Sequence, residues 1–123
     1  MLKGVGVDLV SIERVGRVYD RYPEKFLQRV YAAAEIREMT QAPLSPASLA
    51  ARFAAKEAVI KALGCGIGPV GLSEVEIVRK AGQKPTVKLH GEAYRLAAEQ
   101  GVSGIELSLT HEPPFACAIA AAF

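Results

Sequence analysis

The stretch Ser45-Pro46-Ala47-Ser48-Leu49-Ala50-Ala51-Arg52-Phe53-Ala54-Ala55-Lys56-Glu57-Ala58-Val59-Ile60-Lys61-Ala62-Leu63-Gly64 reads as a helix from end to end. Ser45 can cap the free amides of the first turn, and Pro46 suits that turn because it has no amide to pair. An alanine-rich run follows, and Gly64 closes it. At about 100° per residue, Leu49, Phe53, Val59, Ile60 and Leu63 fall on one apolar arc. Lys56 lies in the middle of that arc, Glu57 at its margin, and Lys61 one turn beyond Glu57. Burying an ammonium or a carboxylate without a partner costs several kcal/mol. Either something polar meets these side chains, or Lys56 snorkels to solvent while Glu57 and Lys61 form an ordinary i,i+4 ion pair.

Beyond the helix, Gly64-Cys65-Gly66-Ile67-Gly68-Pro69 is a glycine-rich exit loop. Two cations around one carboxylate, beside exposed loop amides, can hold a metal and a phosphate together. At the N-terminus Val5, Val7 and Leu9 alternate with Gly6 and Asp8, the pattern of a strand with one buried face. Asp8 shares its face with Gly4 and Gly6, whose bare backbone would let a ligand approach closely. The plainer reading is that Asp8 caps the helix that Ser11 opens. Ile12, Val15 and Tyr19 form the inner side of that helix. Arg14, Arg17 and Arg21 line its other side, with Lys25 just past the break at Pro23. This is either a solvated face or a docking strip for an acidic partner helix.

A second short helix is expected from Glu24 to Tyr31, then a loop over Thr40 to Pro46. Strands are expected at Glu74 to Arg79 and Thr86 to Leu89, joined as a hairpin across Ala81-Gly82-Gln83-Lys84. Gly91 to Gln100 reads as a helix ended by Gly101. Ile105, Leu107 and Leu109 alternate in a further strand. After His111-Glu112-Pro113-Pro114 a small-residue strand, Phe115 to Ala121, closes the chain. His111 therefore sits at a sheet edge or loop mouth, as an ordinary surface residue or as part of a site. This order of elements predicts one α+β domain over 1–123 with a mostly antiparallel sheet.

Composition narrows the rest. Half of the 123 residues are apolar and the formal charge is only +2, so no global field draws the chain to nucleic acid or to a membrane. No segment reads as a signal peptide or a membrane span. The two cysteines, Cys65 and Cys117, make neither a disulfide framework nor a metal motif, which points to a cytoplasmic setting.

At Gly4-Val5-Gly6-Val7-Asp8-Leu9-Val10 and Arg52-Phe53-Ala54-Ala55-Lys56-Glu57-Ala58-Val59-Ile60-Lys61-Ala62-Leu63-Gly64 the sequence resembles the small bacterial holo-acyl-carrier-protein synthases, of the 4'-phosphopantetheinyl transferase superfamily. Arg14 follows the first motif as in the family. Glu24 to Glu35 and Leu107-Ser108-Leu109-Thr110-His111 are also similar, so the resemblance spans essentially the whole chain in order.

The resemblance implies that the chain moves the 4'-phosphopantetheine arm of coenzyme A onto a serine of apo acyl carrier protein, releasing 3',5'-ADP. Asp8 and Glu57 would be Mg2+ ligands beside the coenzyme A pyrophosphate. Lys61 would neutralise charge on the leaving group. Arg52, Lys56, Gly64, Gly66 and Gly68 would line the coenzyme A site, with His111 near it. Glu57, Asp8 or a metal-bound water would take the serine proton. The basic stripe Arg14, Arg17, Arg21 and Lys25 would dock the acidic carrier protein, and three copies would form a homotrimer with each site at a subunit boundary. Two departures stand out. Thr40 to Ala51 lacks the basic residues many relatives carry, and Cys65 stands where Thr is common. A non-catalytic carrier-protein or nucleotide-binding module on the same fold is the alternative.

Overall fold

The structure is a computed structural model that describes residues 1–66 and 68–123. The long helix is there, α4 over Pro46–Ala62, capped by Ser45 Oγ, which accepts from the Ser48 amide. Its surroundings are more enclosing than one apolar arc requires. Nearly every position from Leu49 to Ala62 is buried, Arg52 and Lys56 included, and only Phe53, Glu57 and Lys61 keep exposure. The helix is the spine of the molecule, and its many alanines let other elements approach it from several sides.

Two antiparallel sheets surround it. The first has the order β1-β5-β4, from β1 (Gly4–Ser11), β4 (Ile105–Glu112) and β5 (Phe115–Ala122). The second is the hairpin β2 (Val75–Val78) with β3 (Thr86–Leu89). In β5 the helix-facing residues are Ala116, Ala118, Ala120 and Ala122, all buried. Small side chains on both partners leave room for the sheet to lie close against α4.

β1 has the expected alternation but the opposite orientation. Val5, Val7 and Leu9 are 52–60% exposed, and it is Gly4, Gly6 and Asp8 that face inward. The glycines are bare because α4 occupies the space. A Cβ on Gly4 or on Gly6 would overlap the carbonyl oxygen of Ala62 or Ala58 respectively. They make room for a helix backbone, and not for a ligand.

The remaining helices are α1 (Ile12–Arg21), α2 (Pro23–Val30), α3 (Ala33–Met39) and α5 (Gly91–Glu99), with a 3-10 turn at Leu72–Glu74. Ser11 Oγ caps α1 by accepting from Arg14 N at 3.2 Å, so Asp8 is not the cap. Pro23 does not merely interrupt a helix. It occupies the first turn of α2, where its missing amide costs nothing. Helix α3 has no counterpart in the sequence reading. Its N-cap, Ala32, has no side-chain oxygen, and the Glu35 carboxylate instead accepts from the Ala32 amide at 2.9 Å. No helix among the described residues is long and apolar enough to cross a membrane.

Candidate active site

β1 is an edge strand of its sheet, and α4 lies on its inner side with Ala62 over Gly4 and Ala58 over Gly6. The two elements are therefore antiparallel, and the next inward residue of β1, Asp8, arrives beside the exposed positions of α4. Lys61 Nζ donates to Asp8 Oδ1 at 3.1 Å and to the Val7 carbonyl at 3.0 Å. Glu57 feels the same aspartate. Loss of solvation and the neighbouring Asp8 charge raise its pKa, and Lys61 only partly offsets them. The i,i+4 pair between Glu57 and Lys61 is thus replaced by a pair between Lys61 and Asp8, formed across the fold.

One atom of this cluster lacks a partner. Asp8 Oδ2 is buried and accepts no hydrogen bond. A buried carboxylate oxygen without a donor is costly, and here it sits beside a second carboxylate reluctant to ionise. Carboxylate oxygens are what a hard divalent cation takes. Asp8 and Glu57 fit such an ion as ligands.

Arg52 and Lys56 are not brought to that cluster. Lys56 is fully buried; its ammonium donates to Glu35 Oε1 and to the Val75 carbonyl, and at 3.3 Å to the Leu72 carbonyl. It does not snorkel. Burial pulls its pKa down and Glu35 pushes it back up. The Arg52 guanidinium donates to Glu35 Oε2 at 3.4 Å, Glu38 Oε1 at 2.9 Å and the Ile77 carbonyl at 3.0 Å. Glu35 is itself 1% exposed. Within one chain both charges are paired inside, binding α3 and β2 to the spine helix, and neither faces the Asp8 cluster. The pressure for a partner to Lys56 was visible in the sequence. That the partner is Glu35 was not, because 21 residues of chain separate them.

Gly64, Gly66 and Gly68 follow α4 into open space, where an added Cβ would meet nothing within 4 Å. Ile67, in the middle of that loop, lies outside the described residues. The loop leaves α4 at the Gly4 end of β1, and Lys61 reaches from it back toward Asp8. His111 is exposed on β4. It pairs with Ala116 while Asp8 pairs with Ala118, which puts His111 on the same side of the sheet but two strands across and two residues along, about 12 Å away between backbones. Within one chain it does not join the cluster.

Arg14, Arg17, Arg21 and Lys25 are all exposed. Arg17 lies 3.7 Å from Glu13, and the Arg21 guanidinium stands over the Tyr22 ring at 5.4 Å. Between α1 and α2 a groove of about 420 Å³ is lined by Val18, Tyr22, Lys25, Phe26, Arg29 and Val30. It adjoins a second, of about 390 Å³, that runs past Arg14 to Phe53 and Leu9.

The chain as a whole, from β1 through β5, is matched by known proteins. Residues 4–120 match the model of the 4'-phosphopantetheinyl transferase superfamily. The chain belongs to that superfamily. It is similar to the holo-[acyl-carrier-protein] synthase of Moorella thermoacetica, at 45% identity over 115 residues, covering 94% of this chain and 89% of the relative. Among solved structures of the superfamily, the holo-[acyl-carrier-protein] synthase of Neisseria meningitidis superposes with a TM-score of 0.90 at 35% identity, over 100% of this chain and 99% of that one. The Helicobacter pylori synthase, solved in complex with coenzyme A, superposes with a TM-score of 0.83 at 29% identity, over 97% of this chain and 99% of that one.

Proposed function

We propose that residues 1–123 act as one transferase domain in the cytoplasm, as a holo-acyl-carrier-protein synthase that uses Asp8, Glu57 and Lys61 as its reacting centre. The chain transfers phosphopantetheine from coenzyme A to acyl carrier protein. The observation that carries the assignment of the centre is the orphaned Asp8 Oδ2, buried beside a Glu57 whose proton affinity is raised. Asp8 and Glu57 would hold Mg2+, which when bound would supply positive charge to the pyrophosphate of coenzyme A. The serine oxygen of the carrier protein attacks phosphorus, and the bond to the 3',5'-ADP oxygen breaks. Lys61, half exposed and able to turn from Asp8, offsets the charge that gathers on the leaving group. The serine proton passes to a carboxylate of this pair, Glu57 or Asp8.

Two further parts complete the reading. The stripe of Arg14, Arg17, Arg21 and Lys25 borders apolar grooves between α1 and α2, a combination suited to an acidic helix with an apolar ridge. The open sheet face carries Val5, Val7, Leu9, Phe115 and Ile119, each 45–60% exposed. A contiguous apolar face of this kind favours association, and three copies joined through it would form the homotrimer, with Asp8 at the strand edge beside the boundary. His111 and the Gly64, Gly66 and Gly68 loop would then help line the coenzyme A site from their places around that boundary.

The test is intact-protein mass spectrometry of an apo acyl carrier protein incubated with this chain, coenzyme A and Mg2+. One phosphopantetheine arm should be gained, and EDTA should abolish the gain. No gain across several carrier proteins would favour a binding module on the same fold.

A further inference from the structure

The inward face of β1 is Gly4, Gly6, Asp8, and its two glycines press on the carbonyls of the helix that carries Glu57 and Lys61. A Cβ on Gly6 would overlap the Ala58 oxygen and lie 2.8 Å from the Ala62 nitrogen and 2.9 Å from the Ala58 carbonyl carbon. On Gly4 it would overlap the Ala62 oxygen and lie 3.0 Å from its carbonyl carbon. These obstacles are backbone atoms of a buried helix, which cannot swing aside as a flexible side chain would. Any side chain at Gly6 must therefore lift the strand from the helix until those contacts reach the ordinary 3.4–4 Å.

Asp8 is two residues along the same face, and Glu57 precedes Ala58 in α4. A lift at Gly6 therefore widens the space between the two carboxylates directly. Cations differ in how much of that they tolerate. Mg2+ demands near-ideal octahedral geometry with oxygens at about 2.0–2.1 Å, whereas Ca2+ accepts about 2.3–2.6 Å and irregular shells.

We propose that Gly6, assisted by Gly4, is a positioning residue that sets the cation selectivity of the site, because its bare backbone seats β1 on α4 closely enough for Asp8 and Glu57 to share a small, rigid ion. The proposal rests on the assignment of Asp8 and Glu57 as ligands. A merely structural glycine would lower stability and affect all cations alike. A spacer makes two sharper demands. Widening must penalise Mg2+ more than Ca2+, and a longer side chain at position 8 must close the widened gap, since glutamate adds one methylene, about 1.5 Å.

The experiment is Mn2+ binding to the full-length chain read by electron paramagnetic resonance, with displacement by Mg2+ and separately by Ca2+. It is done on the parent, Gly6→Ala, Asp8→Glu and the double variant, with thermal melts alongside. Gly6→Ala should weaken Mg2+ by about tenfold or more, and Ca2+ by no more than about threefold. Asp8→Glu alone should weaken Mg2+ by about tenfold, because the gap is too narrow for the longer arm, yet in the Gly6→Ala background it should restore Mg2+ binding. Equal losses for both ions, or no restoration, would overturn the proposal. Should Gly6→Ala not fold, Gly4→Ala takes its place with the same expectations. The Asp8→Glu single variant stands independently, and an unchanged Mg2+ preference there also overturns it. Asp8→Asn and Glu57→Gln tell the two failures apart: if they bind Mn2+ like the parent, the ligand assignment fails and the proposal with it, whereas if they lose Mn2+ while Gly6→Ala leaves the Mg2+ and Ca2+ preference unchanged, the role of the glycine alone is overturned.

Discussion

The ammonium of Lys61 sits 3.1 Å from Oδ1 of Asp8, joining residues 53 apart in the chain. Paired with the aspartate in this way, Lys61 in the proposed enzyme competes with a cation for Asp8 before serving the leaving group. Lys61→Met should therefore act in opposite directions. Mn2+ affinity of the protein alone should rise by about two- to fivefold, the worth of an exposed ion pair. Phosphopantetheine transfer should fall by about 100-fold, as when one charge-stabilising donor is removed. Paired resonance and mass-spectrometric assays would check this; weaker binding of Mn2+ would refute the competition.

Glu57 supplies the pH dependence. Loss of solvation first, and the Asp8 charge second, hold its pKa above the ordinary 4.5. A protonated Glu57 cannot ligate, so cation affinity should fall as pH drops through that raised value. For folding without a cation the sign is the reverse. Stability from this group is present below the unfolded pKa and lost as pH rises through the folded one. Asp8→Asn should lower the Glu57 midpoint yet leave it above the ordinary value, because the larger cause persists. Carbon-13 titration of the Glu57 carboxyl is the measurement.

The Lys56–Glu35 pair should govern stability rather than chemistry. Lys56→Met leaves a buried carboxylate short of its partner and should cost about 3–5 kcal/mol in urea unfolding. Replacing both, as Glu35→Gln with Lys56→Met, should recover most of that loss, since a buried pair and a well-packed neutral pair are often close in energy. A double variant as unstable as the single one would contradict this.

The open face of the sheet predicts assembly. Ile119, 48% exposed at its centre on β5, should be covered in the proposed trimer. Ile119→Lys should sediment as a single chain where the parent sediments as a trimer, and should keep the parent's circular dichroism. An unchanged sedimentation coefficient would move the interface elsewhere.

Carrier docking is tested at Arg14. Arg14→Glu should raise the KM for acyl carrier protein by about tenfold, because a reversed rim charge repels an acidic partner. Coenzyme A binding should be nearly unaffected. An unchanged KM would remove α1 from the docking surface.

Much of this protein was legible along the chain because its signals are local. The Ser45-Pro46 cap, the hairpin across Gly82 and the alternations in β1 and β4 are each set by a few neighbouring residues, and each element formed where those residues place it. Helix α3 escaped notice because its signal is only half present. Ala32 has no capping oxygen, and the other half, Glu35, looks like any surface glutamate until its burial is known.

What the sequence determined by itself was therefore every helix and strand except α3, the demand of Lys56 for a partner, and, through its motifs, the superfamily. The tertiary structure decided what local pattern cannot. Alternation says that the two faces of β1 differ, but which face is buried depends on what packs there. Here α4 takes the glycine side and leaves the valines open. Residue types likewise say that Lys56, Arg52, Lys61 and Asp8 are charged, while pairing depends on distance in space. Packing gave Lys56 and Arg52 to Glu35 and brought Lys61 to Asp8, because a buried charge must be met by whichever group the fold carries within reach.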